Sequence, residues 1–158
     1  MPRTTLIIGL LVGTGIPLAG SITPTTALSA GTIATEPVRA NSPLAPSLQG
    51  QPVVVEIYAS WCGACQTIKP VLESLRRKEG KRVHWVRFDV TNSTNSKLSA
   101  AQAKELGLQE FYQNNRSQTS LVSIINPETG TTVSTFRAQP KLDPYVKAIQ
   151  TTRAMLSR

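Results

Sequence analysis

The sequence predicts an α/β domain of three layers, a central mixed sheet flanked by helices. Three observations predict it. A β-branched run, PVVVEIYAS from Pro52 to Ser60, is followed at once by a helical period. The alternation then repeats, giving the order strand, helix, strand, helix, strand, strand, helix. The last two strands flank a short turn, NPETG, that reverses the chain. The first half is therefore a crossover unit with parallel strands, and the second half ends in an antiparallel hairpin.

Pro52–Ser60 suits a buried central strand, because Glu56 is its only charged residue. From Cys62 onward, Cys65, Ile68, Val71, Leu72 and Leu75 fall on one helical face. Gly80 ends that helix, and Pro70 inside it is expected to kink it. RVHWVRFDV, Arg82 to Val90, is the second strand. Thr91 to Asn95 reads as a polar loop. Ser99 with Gln102 reads as a capping box for a short helix that Gly107 stops. Thr119 to Ile125 is the third strand and Thr131 to Arg137 the fourth. Asp143 reads as the N-cap of a last helix, with Pro144 at its first position and Tyr145, Val146, Ile149 and Leu156 on its buried side.

These elements place the domain at residues 49–156. Residues 31–48 read as a linker, within a stretch rich in Ser, Thr, Pro, Ala and Gly. Residues 1–30 read as a signal peptide or membrane anchor: Met-Pro-Arg precedes the apolar TLIIGLLVGTGIPLAG, and no charge appears from Thr4 to Thr35. Glycines and Pro17 interrupt this segment, and a spanning helix needs roughly 20 predominantly apolar residues. Cleavage and anchoring both stay open. Either puts the domain outside the cytoplasm, in a periplasm or thylakoid-type lumen, where disulfides persist.

Lys and Arg total 17 against 9 Asp and Glu, a net charge of +8. Much of the excess sits in Arg76-Arg77-Lys78 and Lys81-Arg82. That run reads as a solvated helix end. No aromatic residue interleaves with it, so nucleic acid is not an expected partner.

The chemistry lies in Cys62-Gly63-Ala64-Cys65. At a strand-to-helix junction, the Cys62 sulfur faces free backbone N–H groups and the positive end of the helix dipole. Both favour the thiolate, which is the nucleophile. Cys65, one turn on, is near enough to close a disulfide with it. The expected cycle is attack by an exposed Cys62 on a substrate disulfide, a mixed disulfide, and resolution by a shielded Cys65. Two Cys and one His, His84, fall short of the four ligands of structural zinc. A copper site of two Cys and one His needs His84 beside the cysteines. A purely structural bond would close too short a loop to stabilise much.

The string VVVEIYASWCGACQTIKPVLESL combines a hydrophobic strand carrying one acid, Trp-Cys-Gly-x-Cys, and a Pro five residues past the second Cys. On it the chain resembles the thioredoxin superfamily, over about Gln49 to Leu156. The lead-in LQGQPVVVEIYASWC looks most like thioredoxin-like proteins of cyanobacteria and chloroplast thylakoids. The resemblance implies a thioredoxin-like fold and a thiol–disulfide oxidoreductase that needs no cofactor and no metal. It implies catalytic roles for Cys62 (nucleophile), Cys65 (resolving), Trp61, and Glu56 as the acceptor of the Cys65 proton, with Arg87 as counter-charge. The family's Gly-Pro between the cysteines is here Gly63-Ala64, and its buried Asp is here Glu56. Its cis-proline before the third strand is missing, and Thr119 and Ser120 stand there as substrate-binding candidates. Ala64 adds no charge to the thiolate, so reduction of protein disulfides is expected over oxidation. Implied partners are protein disulfides or dithiols and a membrane or soluble electron donor, with membrane association through the N-terminus. The other class left open is a binding or scaffold module whose Cys pair is vestigial or holds copper.

Overall fold

The computed structural model describes residues 42–158, so the segment read as signal or anchor and most of the linker lie outside the described residues. Four strands form one sheet: β1 (Val53–Tyr58), β2 (His84–Asp89), β3 (Leu121–Ile125) and β4 (Thr132–Arg137), in the spatial order β2-β1-β3-β4. β1 and β2 run parallel, and β1–β3 and β3–β4 are antiparallel. The mixed sheet of the sequence reading is thus present, with both of its halves.

Among the described residues four α-helices flank the sheet: α1 (Gly63–Glu79), α2 (Ser93–Glu105), α3 (Gln109–Asn115) and α4 (Leu142–Leu156). The period-2 alternation of β1 divides the core. Val53, Val55 and Ile57 pack with Phe88, Ala103, Leu108 and Tyr112 on the α2–α3 side. Val54 packs with Ile68, Leu72, Leu75, Tyr145 and Ile149 on the α1–α4 side. Both faces of β1 are therefore dry, which explains its near-continuous apolar sequence. Glu56 belongs to the second series and is only 5% exposed. Among the described residues, no helix is long and apolar enough to cross a membrane.

Several elements differ from expectation. The polar stretch Thr91 to Asn95 is mostly the first turn of α2. Asn92 is its N-cap, accepting from the Asn95 N–H at 2.9 Å. Ser99 lies buried in mid-helix and donates to the Asp89 carbonyl at 2.9 Å, so it caps nothing. The short helix α3 was not anticipated. α4 begins at Leu142, so Asp143 and Pro144 lie within its first turn, where a missing N–H removes no intrahelical bond. α1 continues through Pro70 as one helix.

Residues 42–48, read by composition as the end of a linker, belong to the packed structure. Leu44 and Leu48 join the α2–α3 core. The Leu44 N–H donates to Pro127 O and the Ala45 N–H to Leu106 O, and Gln49 Nε2 donates to both Leu44 O and Pro127 O. Two leucines spaced by three polar or small residues leave no periodic signal in so short a stretch.

Candidate active site

β1 ends at Tyr58 and α1 starts at Gly63, so the residues between them form the expected junction. Cys62 is the N-cap of α1. Its Sγ accepts from the Cys65 N–H at 3.2 Å, and its carbonyl accepts from Cys65 and Gln66. A sulfur here plays the part that a Ser or Asp oxygen plays at ordinary helix starts. Both cysteines are free thiols.

The sequence reading expected Cys62 to be exposed. Its residue is 7% exposed, with Cys65 at 1%, in a small cluster with Ala59. The order of access holds but the opening is narrow, because Cys62 caps the helix with its sulfur turned onto the backbone. Burial alone pushes the Cys62 thiol up. Hydrogen bonds from the Cys65 side chain, the Thr119 side chain and the backbone N–H groups of Cys65 and Ala64 outweigh it, and the net shift is downward. For Cys65 burial dominates, reinforced by Cys62, and its thiol is pushed up to about 11. One environment thus stabilises an anion at the first sulfur and a proton at the second.

Trp61 is 66% exposed, and its indole Nε1 donates to the Thr91 carbonyl at 3.0 Å. That bond fixes a large apolar surface beside the cysteines. Trp61 and Thr119 lie on a cleft of about 540 Å³ that also takes in Val90, Tyr112 and Arg116.

No peptide bond among the described residues is cis. Thr119 supplies the hydroxyl that reaches Cys62. Ser120 is buried, with φ 65°, a left-handed conformation unusual for a residue with a Cβ. Its N–H donates to Ile57 O at 2.9 Å and its carbonyl accepts from Ala138 at 3.2 Å. Both backbone groups of Gln118 are also engaged, the N–H with Asn115 O and the carbonyl with the Leu121 N–H. An extended ligand therefore finds little backbone to pair with at Gln118 or Ser120.

Glu56 stands on β1 opposite Arg87 of β2. Arg87 Nε donates to Glu56 Oε2 at 2.8 Å, and the same guanidinium lies 4.7 Å over the Tyr58 ring. The counter-charge expected at Arg87 is in place. His84 is paired with Val53, at the far end of β1 from Cys62, and approaches Gln49 O at 3.4 Å. Roughly 17 Å of strand separates the two ends, at about 3.3 Å per residue. A site of Cys62, Cys65 and His84 is not formed, and among the described residues no cluster of three Cys, His, Asp or Glu side chains could hold a metal.

Sequence reasoning missed the cleft residues Tyr112, on α3, and Arg116, just past its end, together with the helix itself. The one available signal was Phe111-Tyr112 four residues past Gly107, too short a pattern to set a period.

The thioredoxin family model matches residues 42–126. Over 61 residues the chain is 41% identical to thioredoxin X, chloroplastic, of Arabidopsis thaliana, covering 39% of this chain and 32% of that protein. Over 52 residues it is 40% identical to a thiol:disulfide interchange protein TxlA homolog of Synechocystis, covering 32% of this chain and 29% of that one. The match thus spans about a third of the length of these relatives. The X-ray structure of Fasciola hepatica thioredoxin aligns with 67% of this chain and 85% of its own, at TM-score 0.45 and 21% identity.

Proposed function

The chain belongs to the thioredoxin family, and from that premise we propose that it is a thiol–disulfide oxidoreductase that reduces protein disulfides outside the cytoplasm. The observation that carries the reading is the Cys62–Cys65 pair at the start of α1, with the first sulfur on the Cys65 N–H and shifted toward thiolate while the second is held as thiol.

The Cys62 thiolate attacks one sulfur of the substrate disulfide. The Cys62–substrate bond forms, the substrate S–S bond breaks, and the departing thiolate takes a proton from water. Cys65 then loses its proton and attacks Cys62 Sγ. The Cys62–Cys65 disulfide forms and the second substrate thiol leaves. Two electrons have passed to the substrate, and an external dithiol donor, membrane-bound or soluble, must return them.

Glu56 is proposed as the acceptor of the Cys65 proton. It is buried on the face of β1 that α1 covers, and its bond to Arg87 leaves Oε1 as the freer oxygen. Trp61 is proposed to flank the mixed disulfide, with Thr119 holding the Cys62 anion and Ser120 shaping the loop. Location outside the cytoplasm rests on the uncharged apolar stretch Thr4 to Gly20 behind Arg3.

The test is direct. The reduced protein should reduce insulin-type disulfides, and its potential against glutathione should lie nearer the roughly −270 mV of thioredoxin than the roughly −120 mV of strong oxidants. No turnover, with Cys62 alkylating at the rate of an ordinary thiol, would leave only a scaffold with a vestigial pair. An export-dependent reporter fused after Arg158 should be active; activity only in the cytoplasm would remove the location.

A further inference from the structure

The cleft beside Cys62 does not stop at Trp61 and Thr119. Tyr112, Gln113 and Arg116 also line a second hollow of about 560 Å³ that runs on to Lys104 of α2. The floor is fixed, because the Tyr112 hydroxyl donates to Ser96 O at 2.9 Å and its ring packs edge-on to Phe88. The resulting trough leads away from the reactive sulfur across α3.

Its charge is one-sided. Arg116 and Lys104 line it, and no Asp or Glu does. Among the described residues, the ion pairs engage Arg82, Arg87 and Arg153, while Arg76 lies over Trp85 and Arg77 donates to Ser74. Neither Arg116 nor Lys104 takes part in an ion pair there, and both are exposed. Each follows or ends a helix, where a cation is favourable by itself. That role does not explain why Arg116 lines the cleft that holds Trp61 and Thr119, and Lys104 the hollow that shares Tyr112, Gln113 and Arg116 with it.

Resting on the oxidoreductase reading, we propose that this trough binds an acidic segment flanking the substrate's disulfide, with Arg116 and Lys104 as specificity-determining residues. With little backbone free at Gln118 and Ser120, side-chain charge takes over part of the grip that strand pairing would give. The charges steer encounter and set register; the chemistry stays with the cysteines.

The test compares two disulfide peptides of equal length, one flanked by glutamates and one by lysines, in single turnover with the reduced protein. The acidic peptide should react about 10-fold faster at low salt, through two exposed charge pairs. The gap should close as salt rises to about 0.5 M. The double variant Lys104→Glu, Arg116→Glu should invert the order. Lys78→Glu with Lys81→Glu, the same change in net charge far from the trough, should leave the ratio as it was. Equal rates for the two peptides, or a ratio that follows net charge in both double variants, overturns the proposal. A neutral disulfide, bis(2-hydroxyethyl) disulfide, separates the two levels. If the wild-type protein reduces it but treats both peptides alike, only the acidic-segment proposal falls. If it reduces none of the three, the oxidoreductase reading falls and takes the proposal with it.

Discussion

Glu56 and Arg87 face each other across the parallel β1–β2 pair, with Nε 2.8 Å from Oε2. The two ends of this bond differ in exposure: the Glu56 side chain is 6% exposed and that of Arg87 45%. Removal of either partner should therefore have unequal effects. Arg87→Ala leaves a buried carboxylate without its cation and should cost about 2–4 kcal/mol. Glu56→Gln leaves a guanidinium that can turn to water and should cost about 1 kcal/mol. Urea unfolding of both variants checks the order. In stopped-flow, Glu56→Gln should also slow resolution of the mixed disulfide while leaving the first attack by Cys62 intact. An unchanged resolution rate removes Glu56 from the proton path.

The two thiols should separate sharply in a pH titration of alkylation. Cys62, shifted downward, should react at neutral pH faster than an ordinary free thiol. Cys65, pushed up to about 11, should stay protected until strongly alkaline pH. Cys65→Ser should trap mixed disulfides, and Cys62→Ser should abolish turnover. Trapping through Cys65 instead would exchange the two roles.

The same shift predicts an alkaline loss of stability. An unfolded Cys65 gives up its proton near its ordinary value of 9.0, whereas the folded one keeps it to about 11. Between those values the folded state binds more protons, so stability falls as pH rises through the window. Tyr145, pushed up to about 12 first by burial and then by Glu56, adds a loss of the same sign at higher pH. Thermal unfolding of the reduced protein at pH 8 and pH 10 should show the drop, and Cys65→Ser should remove the Cys65 share.

The loop that carries Thr119 and Ser120 responds to sequence in a specific way. Ser120→Pro conflicts with φ 65°, because proline is held near −65°. It also removes the N–H bonded to Ile57 O. A cost of about 3 kcal/mol or more is expected. Ser120→Gly relaxes the left-handed backbone, and the entropy cost of glycine offsets part of the gain, so the net effect should lie within about 1 kcal/mol. Thr119→Val should slow alkylation of Cys62 at neutral pH about 5-fold, the worth of one hydrogen bond of roughly 1 kcal/mol to the anion.

Gly130 fixes how the first described residues lie against the β3–β4 turn. Its φ is 68°, and a Cβ there would collide with the Ser42 carbonyl oxygen. Gly130→Ala should cost about 1–3 kcal/mol through backbone strain and displacement of that segment. Faster amide exchange at Leu44, whose N–H donates to Pro127 O, should accompany it.

What could be read in the sequence follows from signal strength. β1 was legible because burial on both faces demands an unbroken apolar run, and the dithiol because strand end and helix start meet at Cys62. Arg87 was implied by the family resemblance, and the register of β1 and β2 then set it opposite Glu56. α2 was misplaced because its first turn is Ser93-Thr94-Asn95, polar residues that read as loop, while the true signal was Asn92 as cap. α3 has only seven residues, under two full turns, and the cleft residues were lost with it. The burial of Cys62 and the left-handed Ser120 depend on contacts between distant segments, which composition does not encode.

The central position of β1 has a consequence for how the chain is made. Its parallel neighbour β2 arrives soon after it, yet its other edge is paired only when β3, Leu121–Ile125, has been synthesised. Until then a growing chain carries VVVEIY with one edge open and Val54 short of its partners Val122 and Ile124. Such a segment is adhesive. The domain therefore cannot mature from its front end as it emerges. The β1–β3 pairing has to wait until most of the domain's length is available, and such a non-local pairing closes slowly.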